Sequence, residues 1–385
     1  MINCRNLSYE RLSVSKNAKM KKLGILSILL LFSLNIVSAQ TYEELQKEVE
    51  SLRGSISNLR HSFNSINKAV DDIMFYNKIG DVAYIDKVEL TGPPLGKEKR
   101  EKMSGGAANP SYYTNPLKFK TYIFIPKSID PDKKYPVMVF PHGGVHSNFN
   151  SFYAHILREL MAQEYIVVAP EYRGSTGYGR RFYESIDYGG LEVQDVKASR
   201  DYMVENYDIV DENRIGIFGW SHGGLITLMN IFEYPDAYKV AYAGVPVSDL
   251  IARMGYKSDG YRDLYSIGYH IGETANDNPD EYRRRSPAWQ AHKMGNTPLL
   301  IHTNTNDSDV NVLEVEHLIK SLKAEGKKFE YEVFEDIPGG HTFDRIDTKK
   351  AKEVRLKVYS FLARQLKPNK PFKNLKELQK AAYRF

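Results

Sequence analysis

Apolar residues in the middle of the chain form short continuous runs that alternate with helix-length segments. The runs occupy residues 137–140, 215–218, 240–247 and 298–302, and residues 329–334 form a further predicted strand in which two glutamates alternate with apolar residues. Short runs without internal polar residues are typical of strands that are covered on both faces of a parallel sheet. Between them lie segments such as 225–232, which are compatible with helices. The alternation predicts an α/β fold with a mostly parallel central sheet over residues 119–366 and helices on both faces.

A different period marks residues 41–76, where apolar side chains recur at alternating spacings of four and three. They are Leu45, Val49, Leu52, Ile56, Leu59, Phe63, Ile66, Val70 and Ile73. This heptad stripe predicts an amphipathic helix. Branched residues at one core position and leucines at the other favour a parallel two-stranded coiled coil and hence a homo-oligomer. The alternative is a helix whose apolar face lies against its own globular domain, and about four heptads leave both interpretations open.

The two ends of the chain and the connector are predicted separately. Met20-Lys21-Lys22 precedes the apolar run 23–37, and small residues follow at 38 and 39, which is the pattern of a secretory signal peptide over residues 1–39 with its start at Met20. The protein is therefore expected to be exported, periplasmic or extracellular, with an uncleaved membrane anchor as the alternative. Residues 77–118 are predicted to be a connector with a first strand, and residues 367–385 a basic tail.

The charge of the chain is concentrated in the predicted signal. The formal net charge is +5, but residues 1–40 hold six of the 53 basic residues and one of the 48 acidic residues, so the remainder carries 47 of each. A neutral mature chain gives no electrostatic reason to expect nucleic-acid binding. The single cysteine, Cys4, lies within the predicted signal.

The chemistry begins at residues 219–224, Gly-Trp-Ser-His-Gly-Gly, which follow the apolar run 215–218. A serine between glycines at a strand-to-helix turn is the pattern of a nucleophile elbow, because the turn strains the backbone and the glycines leave room for it. Ser221 is therefore the candidate nucleophile, and the pattern indicates acyl transfer.

A serine nucleophile needs a base and a carboxylate that orients the base, and both follow downstream in the order that this fold uses. Asp307 lies in the polar turn after the run 298–302, with Asp309 as the reserve candidate for the acid. His341 follows Gly339-Gly340 on a glycine-hinged loop and is the predicted base. The backbone N–H of His222, together with that of Gly143 or Gly144, is predicted to bind the oxyanion.

These residues resemble the catalytic domain of the prolyl oligopeptidase family of serine peptidases. The motifs are residues 219–224, 172–179 (Tyr-Arg-Gly-Ser-Thr-Gly-Tyr-Gly), 188–190 with 195–196, 307–310, and 340–341. The resemblance extends over roughly residues 120–365. The resemblance implies an α/β-hydrolase fold with Ser221, Asp307 and His341 as the catalytic triad.

Three departures limit what the resemblance implies. Members usually carry a β-propeller of several hundred residues before the catalytic domain, whereas about 80 residues separate the predicted signal from the core, and we expect no propeller. His142 stands where many members have a tyrosine that helps to bind the oxyanion. Asp309 stands where Arg or Asn often binds a peptide carbonyl; it is either a solvated loop carboxylate or a group that attracts a substrate cation.

The acyl-side pocket of relatives is formed by the loop after Val247, and the residues there that either line such a pocket or belong to the core are Tyr261, Tyr265 and Tyr269. The predicted function is peptide hydrolysis through an acyl-enzyme, by an exopeptidase or an endopeptidase. Two alternatives remain open: an esterase that removes acyl groups from glycans or small esters, and an inactive scaffold assembled through the coiled coil. No cofactor and no metal ion are implied.

Overall fold

The computed structural model describes residues 7–96 and 117–382, and of residues 7–40 it describes the backbone alone. The chain divides into two compact units, Met1–Arg60 and His61–Phe385. The predicted signal peptide lies outside the described residues at 1–6, and its side chains up to residue 39 lie outside them as well. No helix of the described residues combines the length and apolar character needed to cross a membrane.

After a long first helix and three consecutive strands, helices alternate with strands in the part of the chain that the structure describes. The helices are α1 Leu7–Ile79, α2 Ala154–Ala162, α3 Arg180–Tyr183, α4 Leu191–Asn206, α5 His222–Glu233, α6 Leu250–Tyr256, α7 Asp259–Ser266, α8 Pro279–Arg284, α9 Val312–Ala324, α10 Lys349–Leu366 and α11 Leu375–Lys380. Within the described ranges, short 3₁₀ helices lie at Ser151–Tyr153, Pro287–Lys293 and Gly340–Thr342.

The strands of the described residues form one eight-stranded sheet in the order β1-β2-β4-β3-β5-β6-β7-β8. They are β1 Ala83–Gly92, β2 Leu117–Pro126, β3 Tyr135–Val139, β4 Ile166–Pro170, β5 Val210–Trp220, β6 Val240–Gly244, β7 Leu299–Asn304 and β8 Glu330–Phe334. β2 pairs antiparallel with β1 and β4, and every pair from β4 to β8 is parallel. The predicted α/β-hydrolase fold with a mostly parallel sheet is confirmed.

The sheet separates two hydrophobic clusters. One contains Val137, Ile217 and Leu225, and the other contains Met138, Phe218 and Leu362. Val137 and Met138 are neighbours on one strand and belong to different clusters because successive side chains of a strand point to opposite faces. Both faces of the central strands are therefore buried, which explains why their sequences are continuous apolar runs rather than alternating patterns.

The apolar stripe of α1 is exposed in both units. Its members are between 38% and 69% exposed, and they include Leu45, Ile56, Phe63 and Val70. Within the unit His61–Phe385 a different set of α1 side chains is buried, among them Lys68, Phe75 and Ile79. In this unit the stripe face of α1 is therefore not the face that packs on the globular core.

Candidate active site

Ser221 connects the end of β5 to the start of α5 in a strained turn. Its φ of 59° and ψ of −123° lie in a region that residues other than glycine rarely adopt. A Cβ on Gly219 would lie 2.5 Å from the Gly223 carbonyl oxygen, and one on Gly223 would lie 2.4 Å from that of Pro141. Both positions therefore require glycine, and the sequence pattern at 219–224 corresponds to a nucleophile elbow in three dimensions.

Asp307 and His341 are brought together by two loops. His341 Nδ1 lies 2.7 Å from Asp307 Oδ2. The other oxygen, Oδ1, accepts the backbone N–H groups of Asp309 at 2.8 Å and Val310 at 2.9 Å. The Asp307 side chain is fully buried, whereas that of His341 is 19% exposed. The carboxylate is thus fixed on both oxygens, and it orients an imidazole that solvent and a substrate can reach.

The ends of the strands explain this assembly. Ser221 follows β5 and Asp307 follows β7, and these strands run parallel through β6, so that their carboxyl ends meet at one edge of the sheet. His341 lies on the loop that follows β8, and β8 pairs parallel with β7. Gly339 at φ 112° makes the turn that leads into the short helix of His341.

Residues 142–149, which carry Gly143 and Gly144 and are called the candidate oxyanion loop, lie beside the nucleophile. A Cβ on Gly143 would lie 3.6 Å from Ser221 Cβ and 3.0 Å from the Trp220 carbonyl oxygen. The Gly143 N–H donates to the Tyr153 hydroxyl at 3.1 Å, while the Gly144 N–H donates to no residue that the structure describes. His222 is the first residue of α5, so its N–H has no acceptor inside the helix.

His142 and its neighbours hold this loop in place. The Tyr172 hydroxyl donates to the His142 carbonyl at 2.9 Å and lies 3.2 Å from the Gly144 carbonyl oxygen. The Tyr172 ring stacks on the His142 ring at 4.2 Å, and His142 Nε2 lies 2.8 Å from Ser175 Oγ. Burial lowers the pKa of His142 to about 3, so this imidazole stays neutral at physiological pH.

The tyrosines proposed for a substrate pocket occupy different environments. Tyr265 is fully buried, and its hydroxyl lies 2.9 Å from that of Tyr261. Tyr261 is partly buried and accepts hydrogen bonds from the Arg253 guanidinium at 2.8 and 3.0 Å. The Tyr269 ring, also partly buried, lies 5.1 Å from the His270 ring. Tyr265 therefore belongs to the hydrophobic core, while Tyr261 and Tyr269 retain some exposed surface.

Asp309 lies next to the base but is paired with cations of its own chain. Its Oδ1 accepts from Lys257 at 2.6 Å and from Arg253 at 3.3 Å, and its Oδ2 lies 3.6 Å from His341 Nε2. Burial opposes ionisation of Asp309, but the Lys257 hydrogen bond and the charges of His341 and Arg253 outweigh it and lower the pKa. The structure therefore places a carboxylate beside Nε2 of His341, the ring nitrogen that Asp307 does not contact.

Two residues around the site were not identified from the sequence. Tyr153 accepts the Gly143 N–H, and Glu171 lies fully buried with its Oε2 3.5 Å from His142 Nε2. The sequence offers only a weak signal for Glu171, namely a carboxylate placed directly after the apolar run of β4. Tyr153 carries no such signal, because a tyrosine in an aromatic segment is equally consistent with the core.

Comparisons with known proteins agree with the fold and indicate a family. The model of the prolyl oligopeptidase family matches residues 150–369. Human dipeptidyl peptidase 8 is 31% identical over 222 residues, which are 55% of this chain and 24% of the relative. The "Uncharacterized peptidase YuxL" of Bacillus subtilis is 26% identical over 295 residues, which are 73% of this chain and 44% of that one.

Solved structures show the same fold. The acylaminoacyl peptidase of Pyrococcus horikoshii superposes with a TM-score of 0.57 at 20% identity, covering 78% of this chain and 45% of that one. The match thus spans about a quarter of dipeptidyl peptidase 8 and less than half of the other two proteins.

Proposed function

The chain belongs to the prolyl oligopeptidase family, and from that premise we propose that it is a serine peptidase that cleaves peptide bonds through an acyl-enzyme on Ser221. The observation that carries the proposal is the 2.7 Å contact between His341 Nδ1 and Asp307 Oδ2, at the sheet edge where the strained Ser221 turn lies. Named relatives of the matched region include dipeptidyl peptidase 8 and acylamino-acid-releasing enzymes, which supports peptide substrates.

Each residue has a defined role in the proposed reaction. His341 Nε2 takes the proton from Ser221 Oγ as the oxygen attacks the scissile carbonyl, and later gives it to the leaving amine. Asp307 holds the imidazole with its proton on Nδ1 and stabilises the imidazolium. The His222 N–H and the N–H of Gly143 or Gly144 donate to the oxyanion. Because Gly143 N–H already donates to Tyr153, Gly144 offers its N–H without first breaking a hydrogen bond.

The experiment that tests this function compares amides with esters. The purified protein is incubated with aminoacyl and peptidyl amides and with short acyl esters, and Ser221→Ala is the blank. We expect amide cleavage above the blank. Cleavage of the esters alone would contradict the peptidase assignment and would favour the acyl esterase. Absence of both activities at normal folding would favour the inactive scaffold.

We also propose that α1 joins two copies of the chain in a parallel coiled coil. An exposed row of large apolar side chains is costly in water and is covered when two stripes meet. In a parallel pair in register, Glu48 of one chain lies opposite Arg53 of the other, so the flanking charges attract each other. The exposed fractions of Leu52 and Ile56, 55% and 61%, leave both core positions accessible to a second copy.

Disulfide trapping tests the pairing. In a Cys4→Ser background, Ile56→Cys places a thiol in the proposed seam, and Ser51→Cys places one on the outer face as the matched control. We expect oxidation to yield a covalent dimer of the first variant alone, and light scattering of the parent protein to give twice the chain mass. A parent of single-chain mass, or equal crosslinking of both variants, would contradict the pairing.

Finally, we propose that residues 1–39 are a cleaved secretory signal and that the mature protein is exported. Support comes from Lys21-Lys22, the apolar run 23–37 and the small residues that follow it. N-terminal sequencing of the protein isolated from its natural source is expected to begin at Gln40. A protein that retains residues 20–39 would instead favour the membrane anchor.

A further inference from the structure

A buried lysine of α1 reaches into the core of the unit His61–Phe385. Lys68 is 2% exposed, and its Nζ lies 2.7 Å from Oε1 of Glu171. Glu171 is itself fully buried. The same ammonium donates to the Phe149 carbonyl and lies 4.6 Å above the Tyr122 ring. Buried lysine and glutamate side chains are rare unless they are paired, because each charge loses its hydration.

The helix approaches closely at this point. Gly177 has a φ of 94°, and a Cβ there would lie 2.6 Å from Lys68 Cβ and 3.4 Å from the Asn64 carbonyl oxygen. Because only glycine fits this contact, the loop after β4 packs directly on the backbone of α1. The insertion of Lys68 is therefore part of a tightly packed interface and not a chance contact of a surface side chain.

Glu171 also contacts two residues of the candidate oxyanion loop. Its Oε2 accepts the Phe149 N–H at 3.1 Å and lies 3.5 Å from His142 Nε2. Lys68 and Glu171 together thus bind both the carbonyl and the N–H of Phe149, and Glu171 also borders His142. These two positions flank Gly143 and Gly144, so the ion pair lies against both ends of the loop that faces Ser221.

Lys68 and Glu171 each keep the other from being an unpaired buried charge. Burial raises the pKa of Glu171, and the charge and hydrogen bond of Lys68 oppose that shift, as the Phe149 N–H does. The Tyr178 hydroxyl also donates to Oε1, at 3.2 Å. If Lys68 is removed, a buried carboxylate loses its cation, and it must either take up a proton or draw water into the core. Either event changes the contacts that fix Phe149 and His142.

We propose that Lys68 is a positioning residue which, through Glu171, holds residues 142–149 in the conformation that presents the oxyanion donors to a substrate on Ser221. Docking of α1 is then required for transition-state stabilisation rather than for substrate binding. The inference rests on the proposed acyl-transfer function, because it assigns a purpose to the loop only if Ser221 is acylated.

The test uses a variant that leaves no charge stranded. Lys68→Met combined with Glu171→Gln replaces the ion pair by neutral side chains of similar length, so that folding does not depend on an unpaired buried group. The matched control is Lys87→Met. It removes another lysine that contacts α1, because Lys87 Nζ donates to Asp72 Oδ2 at 2.6 Å. Loss of one oxyanion donor slows acyl transfer by about 10²–10³-fold. A loop that is only loosened is expected to slow acyl transfer by about 10–100-fold.

The readout is the reaction of Ser221 with a fluorophosphonate, separated into the binding constant and the maximal rate and corrected for active protein by titration. We expect the double variant to lower the maximal rate about 10–100-fold with an unchanged binding constant, and Lys87→Met to leave both within about twofold. Equal rates for the double variant and the parent would overturn the inference while leaving the proposed function intact. A parent protein that does not react at all would overturn both.

Discussion

Replacing Asp307 by asparagine tests the geometry of the triad with almost no change in volume. Asp307 Oδ1 accepts two backbone N–H groups, from Asp309 at 2.8 Å and from Val310 at 2.9 Å. In the asparagine variant the amide oxygen must keep those hydrogen bonds. The opposite orientation would direct the NH₂ group at two donors and leave buried N–H groups unsatisfied, at about 1–3 kcal/mol each.

The orientation of the amide determines the tautomer of His341. With the amide oxygen held by the backbone, the NH₂ group of the Asp307→Asn variant faces His341 Nδ1 in place of the carboxylate oxygen Oδ2 and donates to it. The imidazole proton is then forced onto Nε2, the nitrogen that must accept the proton of Ser221. The corresponding change in a Ser-His-Asp triad lowers turnover about 10⁴-fold, which is about 5 kcal/mol of transition-state stabilisation.

The assay measures turnover of a peptidyl amide by the parent protein and by Asp307→Asn, together with thermal unfolding. Asp309→Asn is the matched control, because Asp309 is the neighbouring carboxylate and its side chain is 47% exposed. Loss of its pair with Lys257 is expected to cost about 1 kcal/mol or less of folding stability. The Asp307–His341 hydrogen bond stays in place, so the variant is expected to keep most of the parent turnover. Retention of more than about a tenth of the activity in Asp307→Asn, or an equal loss in Asp309→Asn, would refute the assignment of the acid.

Two further outcomes follow from the packing and the buried imidazole. Gly223→Ala places a Cβ 2.4 Å from the Pro141 carbonyl oxygen, so it is expected to destabilise the fold by about 1–3 kcal/mol and to slow fluorophosphonate labelling, whereas Gly255→Ala, which meets open space, should do neither. An unchanged melting temperature for the first variant would contradict the clash. The pKa of His142 is lowered to about 3, below the unfolded value of about 6.5, so its contribution to stability is complete above pH 6.5 and is lost as the pH falls towards 3. The free energy of unfolding, measured with urea, should therefore decrease between about pH 7.5 and about pH 5 by about 2 kcal/mol less in His142→Gln than in the parent. Equal decreases in the two proteins would contradict this contribution of His142.

Local signals were sufficient to predict the catalytic edge of the fold. Continuous apolar runs identified strands such as β5 and β7, because strands buried on both faces have no polar alternation. The turn at Ser221 was recognisable because its glycines are required by backbone contacts only 2.4–2.5 Å away from the added Cβ positions. Chain order and loop chemistry predict Asp307 and His341, and the structure brings them within hydrogen-bonding distance.

The contacts between distant segments could not be predicted in the same way. Lys68 and Glu171 are 103 positions apart in the sequence. Neither the polar face of a helix nor a position just after a strand signals that a charge there will be buried. The heptad stripe of α1 was recognised, but the sequence could not decide which face of the helix packs on the core. The structure buries Lys68, Phe75 and Ile79 and leaves Val70 exposed.

The measurement that tests the central claim most directly is mass spectrometry of the protein after reaction with a fluorophosphonate. The account predicts a single adduct that maps to Ser221, with no adduct on Ser221→Ala and much slower labelling of Asp307→Asn. Equal labelling of Ser221→Ala, or an adduct on another residue of the parent protein, would contradict the assignment of Ser221 as the nucleophile.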